Sequence, residues 1–137
     1  MIRAEGNGPA APAFHGLCLV EIGRVKAAEK RFGPRFLSRV FTPAELAYCG
    51  SGAARTQRLA ARFAAKAAVR AALRQAGLPP LPFRSIEVER DEWGMPYLVL
   101  HEPIASEARI LVSLSHSRTL AAAFAVFGEG GAGRRGG

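Results

Sequence analysis

The side chains most able to bind a ligand or take part in a reaction are cationic, and they recur at a helical spacing. Basic residues stand every four positions at Arg58, Arg62, Lys66, Arg70 and Arg74. On a helix of about 3.6 residues per turn, such a series drifts slowly around the axis and forms a basic stripe. The stripe predicts either a contact with phosphate or with an acidic helix, or a face that is solvated. A formal charge of +8 likewise favours an anionic partner: nucleic acid, a phosphorylated cofactor or an acidic protein.

The two cysteines, Cys18 and Cys49, offer thiol chemistry. They are too few for a secreted disulfide framework, and no second pair stands at metal-site spacing. Cysteine is among the most commonly buried residues, so Cys18 is either an inert buried residue or a reactive one, and Cys49 is predicted to be inert.

No apolar run approaches the roughly 20 residues of a bilayer-spanning helix, and Met1 to Pro12 lack an apolar signal core. We therefore expect a cytoplasmic protein with no membrane contact.

An α+β domain is predicted to position these residues. The 137 residues, 49% of them hydrophobic, suit one domain over 13–127, with mobile tails at 1–12 and 128–137. Period-two and apolar runs predict strands at 17–22, 85–90, 97–100, 109–115 and 120–127, the last four as two hairpins. Helices are predicted at 25–32, from Thr42, and at 55–76.

The helix signals are specific in two places. Thr42, Pro43 and Glu45 stand at the N-cap, first helical and capping-box positions of one helix. The longest helix ends at Gly77, and prolines follow it. Its alanine-rich apolar face predicts close packing, so we expect an antiparallel sheet on this long core helix, with shorter helices beside it.

In order along the chain stand Gly16-Leu17-Cys18-Leu19-Val20-Glu21-Ile22, the capped helix, Arg62-Phe63-Ala64-Ala65-Lys66, the Gly94-Met95-Pro96 hairpin and Ser113-Leu114-Ser115-His116. This order resembles the small holo-acyl-carrier-protein synthase family, over roughly 14–127. The resemblance implies the phosphopantetheinyl-transferase-like fold and a homotrimer with active sites between subunits. It also implies an acyl carrier protein as partner, to whose serine family members move phosphopantetheine from coenzyme A with the help of magnesium.

The chain departs from that family at the acids that bind the metal. The usual Asp of the first motif is Cys18, and the usual Glu of the long helix is Ala67. A thiol is a poor ligand for magnesium and a methyl group is none, so no metal-binding residue is predicted. The family's next lysine is Ala71, and prolines replace its glycine-rich phosphate loop.

The resemblance nevertheless carries over a set of site residues. As catalytic candidates it implies Cys18 and His116, a thiol and an imidazole that could form a nucleophile and base, together with the retained Glu21. The cofactor-binding candidates are Arg62, Lys66, Arg70, Gly94, Pro96 and Ser115. The candidates for binding the acidic helix of a carrier protein are Arg24, Arg31, Arg35 and Arg39. The alternative is that these arginines only make the surface soluble.

Three functions stay open, and the loss of the metal-binding acids favours the first. The first keeps carrier docking, loses metal-dependent transfer and tailors, cyclises or chaperones a carrier-bound polyketide or fatty-acyl intermediate. It requires no cofactor beyond coenzyme A or carrier-bound phosphopantetheine. The second is active phosphopantetheinyl transfer, with magnesium held by the nucleotide phosphates, water and Glu21. The third is a basic nucleic-acid binder, which the lack of a reader motif and of clustered aromatics disfavours.

Overall fold

A computed structural model describes residues 13–103 and 108–129 of the chain. The predicted tail at 1–12, and the predicted tail at 128–137 from residue 130 onward, lie outside the described residues. Gly128 and Glu129 belong to the last strand, which therefore runs past the predicted domain boundary at 127. Within the described residues, no helix is both long and apolar enough to span a bilayer.

The chain folds as the predicted α+β arrangement of antiparallel strands around one long helix. Its strands are β1 (Ala13–Glu21), β2 (Ile86–Arg90), β3 (Pro96–Leu100), β4 (Ala108–His116) and β5 (Leu120–Glu129). Its helices are α1 (Ile22–Phe32), α2 (Pro34–Val40), α3 (Pro43–Cys49) and α4 (Arg55–Gln75), with a 3₁₀ turn at Phe83–Ser85. Strands β1, β5 and β4 form one antiparallel sheet in that order, and β2 pairs with β3 in a second.

Helix α4 lies under the larger sheet and forms the core with it. Ala60, Ala64, Ala68 and Ala72 are completely buried, which confirms the predicted face of small side chains. The sheet approaches so closely at Gly16 that an added Cβ would lie 1.9 Å from the Ala68 carbonyl oxygen. Only glycine fits this contact, which sets the depth at which β1 sits on the helix.

The predicted signals for the start of α3 and the end of α4 are confirmed. At α3 the Thr42 side chain accepts a hydrogen bond from Glu45 N–H, and the Glu45 carboxylate accepts one from Thr42 N–H, which completes the capping box. Helix α4 ends at Gln75, ahead of Gly77 at a φ of +80°. Helix α2 was not predicted. Gly33, at a φ of +60°, separates it from α1, and Pro34 begins it.

Candidate functional site

The cleft beside Cys18 lies where the end of β1 meets the N-terminal half of α4. The two elements run in opposite directions, since His15 N–H donates to Gln75 near the end of α4 and Gly16 lies against Ala68 and Ala72. Cys18, on the same strand face as Gly16, shares a cavity of about 640 Å³ with Phe63. The cavity is lined by Cys18, Leu19, Val20, Glu21, Arg24, Val25, Ala28, Phe36, Phe63 and Leu120.

The geometry does not form the predicted pair of Cys18 and His116 within one chain. Cys18 is level with Leu114 across β5, and His116 lies two residues further along β4. With about 4.8 Å between strands and about 3.4 Å per residue, their Cα atoms stand roughly 12 Å apart. His116 Nδ1 lies 3.4 Å from the Ser117 carbonyl oxygen instead. Burial also raises the pKa of the Cys18 thiol, the opposite of the shift that activates a nucleophile.

The same cleft does not suit the magnesium ion that the resemblance implies. The two positions where the resemblance implies metal-binding acids are Cys18, which lines the cavity, and Ala67, which follows the lining residue Phe63 by one helical turn on the same side of α4. Between them they offer a methyl group and a thiol, whereas magnesium takes oxygen ligands. The carboxylate of Glu21 is the one acidic group among the residues lining the cavity. We therefore assign no metal ligands here and derive no chemistry through an ion.

Most side chains of the basic stripe on α4 form contacts inside the protein. They therefore neither face solvent nor lie free to bind phosphate or an acidic helix, which were the two predictions. Lys66 is completely buried and forms an ion pair with Glu45, while Nζ also donates to the carbonyl oxygens of Val40 and Phe83. Burial lowers the pKa of Lys66, with Glu45 acting against that shift. This placement corrects the prediction of Lys66 as a cofactor-binding residue: its charge joins α3 and α4.

Arg70 is also engaged within the fold, which weakens its prediction as a cofactor contact. Its Nε donates to the Leu81 carbonyl oxygen at 2.8 Å, and its guanidinium lies 4.4 Å from the centre of the Phe83 ring. Arg58 similarly donates to the Cys49 carbonyl oxygen. Of the stripe, only Arg74 is exposed.

Arg62 has the environment of a binding residue. It is 2% exposed, and its Nε is buried without a hydrogen-bond partner among the described residues. Its guanidinium stacks 4.1 Å from the centre of the Tyr48 ring and lines a cavity of about 170 Å³, whose other charged lining residues are Glu87, Glu89 and Arg90. A buried donor without a partner is costly, so an anion or other acceptor in this cavity would relieve it. Tyr48 was not predicted, because an exposed aromatic residue on a short helix gives no signal in the sequence.

The predicted Gly94 and Pro96 lie on the hairpin that borders this cavity. Gly94 takes a φ of +83° in the turn, and its carbonyl accepts a hydrogen bond from Arg90 at 2.6 Å. Pro96 begins β3 opposite Arg90. Ser115 is elsewhere: it pairs with Ala122 and faces away from α4, so one chain does not bring it together with Arg62.

The predicted carrier-binding arginines share one surface, formed by α1 and α2. Arg24, Arg31, Arg35 and Arg39 are all exposed. Arg35 and Arg39 line a groove of about 320 Å³ with Phe32 and Phe36, and Phe32 is 53% exposed. The only acidic residue of these two helices, Glu29, is bound to Arg55 at 2.7 Å, so it does not offset the positive charge. The combination of aromatic groove and cationic rim was not predicted, because α2 was not.

The outer face of the larger sheet is apolar although it is exposed. Leu17 and Leu19 of β1 are 69% and 65% exposed, and Leu111 and Phe124 on the neighbouring strands are 65% and 44% exposed. An antiparallel sheet with one solvated face normally carries polar residues there. The signal was present in the sequence, because β1 and β5 lack the alternation of polar and apolar residues that a half-exposed strand shows.

Comparison with known proteins agrees with this fold. The family model of the 4′-phosphopantetheinyl transferase superfamily matches residues 19–125. Among solved structures, the chain is similar to the ACPS–CoA complex of Chronobacterium ammoniagenes, with a TM-score of 0.76 and 31% identity over 86% of this chain and 98% of that one. The acyl carrier protein synthase of Mycobacterium tuberculosis is similar at a TM-score of 0.69 and 32% identity, over 85% of this chain and 96% of that one.

Curated relatives identify the family within this superfamily. The holo-[acyl-carrier-protein] synthase of Moorella thermoacetica is 44% identical over 117 residues, which cover 81% of this chain and 90% of the relative. That of Chlorobaculum tepidum is 41% identical over 112 residues, covering 82% and 95%. The chain belongs to the holo-acyl-carrier-protein synthase family, as the resemblance in its sequence predicts.

Proposed function

We propose that this chain is a phosphopantetheinyl transferase that modifies an acyl carrier protein with the phosphopantetheine of coenzyme A. In that reaction the carrier serine hydroxyl loses its proton to solvent and its Oγ bonds to phosphorus, while a P–O bond of the coenzyme A diphosphate breaks and adenosine 3′,5′-bisphosphate leaves. The observation that carries the proposal is the match, over 81% and 82% of the chain, to relatives named as synthases at 44% and 41% identity. Those relatives support transfer, an alternative in the sequence analysis, over the repurposed role that the sequence favoured.

The surface of α1 and α2 supports an acidic helix as the partner's docking element. An amphipathic helix could place an apolar side chain in the groove between Phe32 and Phe36 and its carboxylates on the arginines at the rim. Ionic complementarity of this kind mainly accelerates encounter and sets orientation, so association is expected to slow as salt rises.

The cavity at Arg62 supports an anionic group of the donor as its occupant. A phosphate oxygen would provide the missing acceptor for the buried guanidinium, and guanidinium–phosphate hydrogen bonds are among the strong ones. Tyr48 and the hairpin turn at Gly94 flank this place. Arg62 and the hairpin therefore remain the proposed cofactor-binding residues, whereas Lys66 is not among them.

We further propose that the active unit is a trimer assembled through the outer face of the larger sheet. Large exposed apolar patches generally mark interaction sites. Ser115, on this face, and His116, at the end of β4, lie apart from Arg62 within one chain, so a neighbouring copy would be needed to bring them to the cofactor. Light scattering after size exclusion measures the mass. A monomer at working concentration would contradict the trimer, and Phe124→Lys is expected to dissociate it.

The transfer proposal is tested by incubating the protein with an apo acyl carrier protein, coenzyme A and magnesium and weighing the carrier by intact-mass spectrometry. Conversion to the holo form is expected. Arg35→Glu combined with Arg39→Glu should slow conversion strongly, whereas Arg74→Glu, a matched reversal of an exposed arginine on α4, should not. A carrier protein that binds but keeps its mass would reject transfer.

Carrier docking without transfer is the second candidate, and the residues Cys18 and Ala67 favour it. Both stand where the family has acids, so the site has a specific deficit for metal-assisted chemistry. Under this candidate the protein binds the carrier through the α1 and α2 surface and acts on, or shelters, its acyl cargo. Carrier binding with no mass change, and equal affinity for apo and holo carrier, would support it over transfer.

A further inference from the structure

The cleft beside Cys18, where the family resemblance implies a metal-binding acid, has few groups that could hold a cation. The end of β1 meets the N-terminal half of α4 there, next to the close contact between Gly16 and the backbone of Ala68. Cys18 contributes a half-buried thiol to the lining, and Ala67 carries only a methyl group one helical turn after the lining residue Phe63, on the same side of α4. The remainder of the lining is mainly apolar.

Other acidic groups do not compensate for this deficit. Glu21 lines the cavity but is exposed at the strand end, and Arg24 lines the same cavity with a positive charge that opposes a cation. Glu29 is bound to Arg55, and Glu45 is bound to Lys66. Over residues 13–103 and 108–129, no cluster of three or more histidine, cysteine, aspartate or glutamate side chains could coordinate a metal.

We propose that the free protein has no divalent-cation site in this cleft, and that Cys18 and Ala67 are the two residues responsible. The inference rests on the proposed function, because it concerns the ion that transfer uses in the family. It goes further by separating the fold from metal affinity: the fold is that of the family, but the two positions where the resemblance implies metal-binding acids hold a thiol and a methyl group. Replacing both residues with acids should therefore create a cation site without any other change.

The test measures binding of Mn²⁺ alone, which suits oxygen ligands as magnesium does and is visible by electron paramagnetic resonance. The natural chain is expected to leave the signal of free Mn²⁺ unchanged. Cys18→Asp combined with Ala67→Glu should bind Mn²⁺ at least about tenfold more tightly, since even groups that only support the ligands change metal affinity by about 10–100-fold. Ala67→Glu alone should be intermediate and keeps the test usable if the double variant does not fold.

The matched control is Cys18→Asn combined with Ala67→Gln, which has similar shape without the charges and should not bind. Circular dichroism verifies that each variant is folded. Saturable Mn²⁺ binding by the natural chain would overturn the inference, and so would folded acidic variants that bind no more Mn²⁺ than the amide control.

The carrier-conversion assay separates this inference from the proposed function. If the natural chain converts the carrier and binds no Mn²⁺ by itself, both stand, and the cation must arrive with the donor. If the natural chain does not convert it but the doubly acidic variant does, transfer by the natural chain is rejected while the inference is supported.

Discussion

The buried ion pair of Lys66 and Glu45 leads to a quantitative prediction. Lys66 has no exposed surface, and its ammonium group contacts Glu45 and two backbone carbonyls. Glu45 also accepts hydrogen bonds from Thr42 N–H at 3.0 Å and Val88 N–H at 2.7 Å, so it joins α3 to β2. Replacing Lys66 by methionine keeps most of the volume but leaves the carboxylate and two carbonyl groups without their donor.

The expected loss of stability is large. Removing one partner of a buried pair costs about 3–5 kcal/mol, against total stabilities of about 5–15 kcal/mol for natural domains. For a domain of this size that corresponds to a fall in Tm of roughly 10–20 °C. Urea unfolding followed by far-ultraviolet circular dichroism measures the free energy, and Arg74→Met, which changes an exposed residue of the same helix, should stay within about 0.5 kcal/mol of the natural protein.

A double-mutant cycle with Glu45→Gln tests whether the pair itself is the cause. The combined variant should lose clearly less than the sum of the single variants, by about 1 kcal/mol or more. A loss below about 1 kcal/mol for Lys66→Met, or additivity within about 0.5 kcal/mol, would refute the argument that this charge is held for structure.

Two further outcomes are expected. Gly16→Ala should prevent stable folding, because its Cβ would overlap the Ala68 carbonyl oxygen, whereas Gly23→Ala, at a helical position with open space around it, should be neutral or stabilise by about 0.5–1 kcal/mol; similar Tm values for the two variants would contradict the close contact. At Glu87, burial acts to raise the pKa, but hydrogen bonds from His101 and Thr42 outweigh it and hold the pKa below its ordinary value of 4.5. The carboxylate therefore stabilises the fold above that pH, and its contribution is lost as the pH falls through the lowered pKa. Unfolding curves should show a smaller acid-induced loss for Glu87→Gln than for the natural protein, and an unchanged loss would exclude Glu87 as its source.

Much of the fold was predictable from the sequence because its signals are local. The capping box at Thr42, the stop at Gly77 and the alanine face of α4 each depend on a few neighbouring residues, and the structure confirms them. Helix α2 was missed because it has only 7 residues between Gly33 and Phe41, too few for a clear periodicity. The site was predictable in part: the sequence located Cys18, Ala67 and Arg62, but not their surroundings.

The basic stripe shows the limit of pattern analysis. Its spacing correctly indicated one side of a helix. Periodicity gives only the direction of a side chain around the helix axis, however, and not which residues pack against it. The fold brought Glu45 and two carbonyl groups to Lys66, and an aromatic ring to Arg62, from residues distant in the chain. A surface charge and a buried one therefore look the same in sequence.

The amino-acid sequence alone determined the chemical inventory: most of the elements that form, which family the chain resembles, and that no carboxylate stands at Cys18 or Ala67. Those facts need no coordinates, since side-chain type is independent of geometry. Only the tertiary structure decided which cations face solvent, that Cys18 and His116 do not meet within one chain, and that an apolar sheet face is left exposed. Burial and distance depend on contacts between residues far apart in the chain, and the same pattern of residue types is compatible with several such sets of contacts.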